Sequence, residues 1–165
     1  MGTLRILGID PGLRHMGWGV IDAEGSRLRY VASGTVDPPQ KGAMAQRLLA
    51  LAGGLEDVIG RYGPSSAGVE ETFVNEGARS ALQLGQARGV CLMVLASSGL
   101  VIGEYAATVV KKSVVGTGRA DKRQVQAMIR HLLPQAAPDS ADAADALAVA
   151  ICHASHAQTG ARVQA

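Results

Sequence analysis

Residues 140–156 read as one helix built almost wholly from small apolar residues, and no other stretch limits the fold as strongly. Around Asp142 and Asp145 stand Ala141, Ala143, Ala144, Ala146, Leu147 and Ala148. A helix with so little side chain gains stability only by lying close against another element, so it is expected to pack on a sheet. Large residues are scarce throughout: one Phe, one Trp and three Tyr, 3% aromatic in all. The core must therefore come from Ala, Val, Leu and Ile. Asp145 stands in this helix where an apolar residue is expected.

The rest of the chain supplies the sheet. Residues 5–10 read as a buried strand stopped by Pro11-Gly12. Residues 18–22 and 28–36 read as two more, joined by the turn Ala23-Glu24-Gly25-Ser26, and three strands so close in sequence form an antiparallel meander. Residues 44–62 show helical spacing through Met44, Leu48, Leu51, Leu55, Val58 and Ile59, ending at Gly63-Pro64. There follow a strand over 67–72, a long helix over 76–97, a strand over 100–105 and a helix over 121–133 capped by Asp121. The order predicts an α/β protein with a five-stranded mixed sheet flanked by helices. Strands four and five, reached through helices, are expected to run parallel to the first.

At 165 residues, 47% hydrophobic and 18% charged, the chain is globular and has the size of one domain. We assign residues 1–157 to that domain and 158–165 to a short disordered tail. The opening MGTLRILGIDPG lacks the apolar run and cleavage site of a signal peptide. The most apolar stretch, 90–102, is broken by Ser-Ser-Gly and falls short of the about 20 residues a membrane span needs. Cys91 and Cys152 lie in apolar surroundings and imply no disulfide framework, which fits a cytoplasmic protein. Cys152, His153 and His156 lack the partners of a zinc site. The histidines are expected to end the last helix, and His15 to reach a phosphate.

Four acids carry the chemistry. Asp10 ends an otherwise apolar strand, Glu70 ends another, and Asp142 and Asp145 share a helix face three residues apart. Each has a bland reading: a turn residue, a solvated strand end, an exposed helical pair. Together they are two strand ends and one helix face able to meet at one edge of one sheet. Buried carboxylates without partners are costly. Hard divalent cations remove that cost, because Mg²⁺ prefers oxygen ligands. Two such ions roughly 3.5–4 Å apart support in-line displacement at phosphorus.

Five segments in this order closely resemble the RuvC family, the bacterial Holliday junction resolvases. They are Ile9-Asp10-Pro11-Gly12, Val69-Glu70-x-x-Phe73, Leu84-Gly85-Gln86-Ala87-Arg88-Gly89, Val110-Lys111-Lys112-Ser113-Val114-Val115-Gly116-Thr117-Gly118, and the Asp142–Asp145 helix segment. The resemblance extends over nearly the whole chain, from Leu4 to His156. It implies a ribonuclease H-like fold, a homodimer and work alongside the RuvA–RuvB branch-migration complex. It implies paired, symmetric nicks on strands of like polarity across a four-way DNA junction, leaving 5′-phosphate and 3′-hydroxyl ends. Asp10, Glu70, Asp142 and Asp145 fall on the family's four catalytic, metal-holding acids, with two Mg²⁺ ions per site and Mn²⁺ as a substitute. Some relatives have His at the third position, where this chain has Asp142.

The net charge is +2, yet the segment 111–131 carries +5 and the remainder −3. Lys111, Lys112, Arg119, Lys122 and Arg123 make this segment the expected phosphate-binding edge, against the plainer reading of a solvated helix face. Lys111 and Lys122 also match basic positions of the family that contact DNA near the scissile phosphate. Gly116 and Gly118 would let a loop bring its backbone close to a strand. Phe73, the single Phe, is placed to stack on an unpaired base or else to pack in a core or interface. The stripe Ala81, Gly85, Gly89 allows close helix packing, either on the sheet or on a twin across a two-fold axis.

Three other readings stay open on the residues alone. Ile9-Asp10-Pro11-Gly12 followed by Gly17-Trp18-Gly19 resembles the phosphate hairpin of actin-like sugar kinases, but those need a second related domain. A non-catalytic junction-binding module would leave Asp10 and Asp145 unexplained. A ribonuclease H-like nuclease cutting RNA–DNA hybrids would use the same acids.

Overall fold

The computed structural model describes residues 2–71 and 77–163. Its elements are β1 (Leu4–Asp10), β2 (Met16–Glu24), β3 (Arg27–Val36), α1 (Met44–Tyr62), β4 (Ser66–Glu71), α2 (Ala78–Ser97), β5 (Val101–Ala106), α3 (Ala107–Val115), α4 (Lys122–Leu132) and α5 (Ala141–Val163). The sheet order is β3-β2-β1-β4-β5. β1, β2 and β3 pair antiparallel, and β4 and β5 run parallel to β1 as expected.

Strand alternation divides the core in two. Leu7, Ile9, Val20, Ala67 and Val69 face α1 and α2, where Leu51, Leu55, Cys91 and Leu95 meet them. Ile6, Ile21 and Ala23 point to the opposite face, against α3, α4 and α5. On the first face Arg5 donates through Nε and a terminal nitrogen to both carboxylate oxygens of buried Asp22, at 2.8 and 3.0 Å. Arg29 adds a 2.8 Å bond to the same carboxylate. These cations hold Asp22 below the ordinary carboxylate range, chiefly through the Arg5 hydrogen bond.

The alanine-rich helix lies as close as its composition demands, and the sheet meets it with glycine. Gly19, Gly8, Gly68 and Gly103 stand side by side across β2, β1, β4 and β5. A Cβ on Gly8 would stand 2.6 Å from the Ala150 nitrogen and overlap the Ala146 carbonyl. One on Gly68 would stand 2.9 Å from the His153 Cβ. A helix of small residues on a floor of small residues brings the two backbones together.

Several boundaries differ from the sequence reading. α3 was not expected. Its Thr108, Val109, Val110, Val114 and Val115 have poor helix propensity. Tertiary packing makes the helix, because buried Val110 and Val114 face α5 one turn apart. β2 starts at Met16, two residues before Trp18, and β4 starts at Ser66. α2 starts at Ala78; Thr72, Phe73 and Glu76 lie outside the described residues. The expected tail from 158 is instead helical as far as Val163. His153 does not end the last helix; it is buried within α5. The Asp121 cap is present, with Gln124 N donating to Asp121 Oδ1 at 2.8 Å and Asp121 N donating back to the Gln124 side chain at 2.9 Å.

Candidate active site

The glycine row also positions the acids. Two residues after Gly8 comes Asp10, and two after Gly68 comes Glu70, so both side chains share the face that carries α5. Asp10 pairs with Gly17 across β1–β2, and a Cβ on Gly17 would overlap the Asp142 carbonyl. The first turn of α5 thus sits over the end of β1. Ser140 caps it by accepting from Ala143 N at 3.1 Å, and Asp142 and Asp145 follow.

The four acids act on one another electrostatically. Asp10 is pushed up to about 8, first by burial and then by repulsion from Glu70, Asp145 and Asp142. Burial also raises Glu70, and Asp145 repels it further, while Lys111 and Lys122 pull it down. Burial raises Asp145 against the counter-pull of Lys122, whose Nζ is 3.9 Å from Asp145 Oδ2. Among the described residues, no three His, Cys, Asp or Glu side chains stand together closely enough to ligate one ion as they lie. The donor chemistry nonetheless fits a hard cation: four carboxylates, all oxygen donors, with more negative charge than the site stabilises.

Two expected DNA contacts come to the acids. Lys111, on α3, and Lys122, opening α4, line a cavity of about 200 Å³ with Glu70 and Asp145, over a floor of Val110 and Val125. Lys112, Arg119 and Arg123 are exposed and do not line it. Lys111 and Lys112 lie on a helix rather than a loop, and Gly116 ends that helix at a φ of 93°. A larger cleft of about 560 Å³, between α4 and the segment entering α5, contains none of the four acids. His15 does not face an acid of the site; its Nδ1 is 2.8 Å from Asp37 Oδ1.

Sequence reasoning missed two polar clusters, one behind Glu70 and one at the other end of β4. Arg88, inside α2, donates through Nε to the backbone carbonyl of Glu70 at 3.4 Å and pairs with Glu104. Its signal was one cation among small residues, beside Ala87 and Gly89. Buried His153 stands between Ser66 Oγ, at its Nε2, and Tyr105 OH, 2.7 Å from its Nδ1. Ser66 Oγ donates to the Val101 carbonyl at 3.1 Å, so it accepts from Nε2–H and Tyr105 donates to Nδ1. No spacing rule announces such a chain.

An α/β sheet with carboxylates at adjacent strand ends, a helix adding two more, and lysines beside them describes a nuclease of the ribonuclease H-like class. A family model for the crossover junction endodeoxyribonuclease RuvC matches residues 6–153. RuvC of Paramagnetospirillum magneticum is 60% identical over 156 residues, 94% of either chain. RuvC of Azorhizobium caulinodans is 57% identical over 155 residues, 94% of this chain and 92% of its own. The structure of Thermus thermophilus RuvC in complex with Holliday junction substrate superposes with a TM-score of 0.88 at 30% identity, covering 95% of this chain and 96% of that one. The chain belongs to the RuvC family of crossover junction endodeoxyribonucleases.

Proposed function

We propose that this chain resolves four-way DNA junctions by paired symmetric nicks on strands of like polarity, with Asp10, Glu70, Asp142 and Asp145 as its catalytic acids. One observation carries the reading: Asp10 is pushed up to about 8 by burial and by Glu70, Asp145 and Asp142 around it, with Lys111 and Lys122 beside Glu70 and Asp145. Those four residues would hold Mg²⁺ or Mn²⁺, which when bound supplies Lewis-acid activation of water and stabilises the leaving oxygen. Lys111 and Lys122 hold the phosphate beside the acids, and exposed Lys112, Arg119 and Arg123 extend the basic edge along the backbone. Phe73 is proposed as the aromatic that stacks at the junction centre.

Two active sites must meet two strands, so a two-fold dimer belongs to the proposal. The outer face of α2 supports it. A Cβ on Gly85 or Gly89 would meet nothing within 4 Å there, and Leu82 and Met93 are 64% and 62% exposed beside them. RuvA–RuvB is the proposed partner complex and the cytoplasm the proposed location. No helix among the described residues is long and apolar enough to cross a membrane.

The test is incubation of the pure protein with a four-way junction, a linear duplex and an RNA–DNA hybrid, with Mg²⁺ and with chelator. Paired, ligatable nicks in the junction alone, lost with chelator, are expected. Cutting of the hybrid would favour a ribonuclease acting on hybrids. Binding without cutting would favour a non-catalytic junction-binding module.

A further inference from the structure

We propose that Arg88 is a positioning residue for Glu70, holding the end of β4 from the face opposite the chemistry. The inference rests on the reading of Glu70 as a catalytic acid. The Glu70 side chain shares the α5 face with Asp10, whereas α2 covers the other face of the sheet. Arg88 reaches from α2 and donates through Nε to the Glu70 backbone carbonyl at 3.4 Å, while a terminal nitrogen binds the Glu104 carboxylate. Glu104 pairs with Val69 across β4–β5, so one guanidinium ties α2 to two adjacent strands.

The place is one where the backbone needs holding. The β1–β4 pairing ends at Ile9–Val69, one residue before Glu70, and the β4–β5 pairing ends at Glu71–Ala106. Glu70 therefore sits near the end of β4, paired to β5 alone, while its carboxyl must meet those of Asp10 and Asp145. Ala87 and Cys91, both fully buried, seat α2 on either side of Arg88. Arginine suits this role because its rigid fork serves two acceptors at once, which a lysine cannot reproduce. Glu104 pairs with the Arg88 guanidinium, whose contact with Glu70 is to the backbone rather than to the carboxyl. Its influence is through position.

The experiment compares Arg88→Met, Arg88→Lys and Glu70→Gln with the parent. It measures single-turnover nicking of a four-way junction, junction affinity in chelator, melting temperature, and Mn²⁺ binding to the DNA-free protein by calorimetry. Both Arg88 variants are expected to nick roughly 10- to 100-fold more slowly, the scale of a misplaced catalytic group. Junction affinity should stay within about twofold, because the lost interaction does not bind substrate. Melting should change little, because a partly exposed ion pair adds little stability. Mn²⁺ binding should weaken several-fold, roughly as when a group orienting a ligand is removed. Parental nicking by Arg88→Met alongside an inactive Glu70→Gln overturns the positioning role alone. Parental nicking by Glu70→Gln overturns both it and the reading of Glu70. Weakened junction affinity in Arg88→Met would make Arg88 a DNA contact and also overturn the role. Should Arg88→Met fail to fold, Glu104→Leu frees the guanidinium at a half-exposed site. Nicking about threefold slower or more supports the proposal, and a parental rate overturns it.

Discussion

The carbonyl oxygen of Asp142 occupies the space where a side chain on Gly17 would begin. Gly17 pairs with Asp10, so this contact sets how near the α5 acids come to the β1 acid. The obstacle is backbone on both sides, and neither can turn away as a flexible side chain would. Gly17→Ala is expected to push the start of α5 off the sheet. It should destabilise the protein by about 2–3 kcal/mol, as overpacked sites do. Nicking should fall further than the loss of folded protein accounts for. Chemical denaturation and single-turnover nicking on one preparation separate the two effects.

Asp10→Asn removes the acid that its three neighbours oppose most strongly. Junction nicking should be abolished while junction affinity in chelator stays parental. Saturating Mg²⁺ should raise the melting temperature of the parent, since a ligand at 100 times its dissociation constant adds about 2.7 kcal/mol. Asp10→Asn should lose most of that rise. A melting temperature equally responsive to Mg²⁺ in both proteins would separate metal binding from Asp10.

Lys122 is the nearest cation to Asp145 and opens the basic helix α4. Lys122→Ala should weaken junction binding regardless of sequence and lower the salt dependence of affinity by about one unit of log–log slope. Nicking should slow as well, because Lys122 also pulls the Glu70 and Asp145 carboxyls down. Affinity measured from low to moderate salt reads the slope, and an unchanged slope would remove Lys122 from the phosphate contacts.

Burial pushes His153 from 6.5 down to about 4, and the nearby His156 adds to the shift. Below pH 6.5 the unfolded chain binds a proton there that the folded chain refuses. His153's own contribution should therefore fall as pH drops from about 6.5 to about 4, by at most ~3 kcal/mol, against the opposite drift from Asp10, whose raised carboxyl gains stability over the same range. The difference between the parent and His153→Leu should show that contribution, though the variant also leaves Ser66 and Tyr105 without their shared partner. Asp22 acts in a separate, more acidic window. Its folded value is lowered, so its contribution is lost only as pH falls below the ordinary 3.8. Denaturant midpoints at half-unit steps from pH 8 to pH 3 resolve the two.

Much of this was legible in the residues. The acids stood out because Asp10, Glu70 and Asp145 interrupt apolar runs whose period was readable. The capping box at Asp121 and the stop at Gly63 are local chemistry, settled within a few residues. α3 was not legible, because its valines favour a strand until α5 offers them a face. Arg88 and the Ser66–His153–Tyr105 chain were hidden for a similar reason: their partners lie 16 to 87 residues away.

The sequence by itself determined the period of every element except α3, the basic sign of the 111–131 segment and which acids stand out of apolar runs, since these follow from local propensity and composition. Only the tertiary structure decided that Gly19, Gly8, Gly68 and Gly103 form one row beneath α5. Register is a relation between strands far apart in the chain, and the close approach of helix to sheet exists only once they pair. That approach is what brings Glu70, Asp142 and Asp145 near enough to Asp10 to oppose its ionisation.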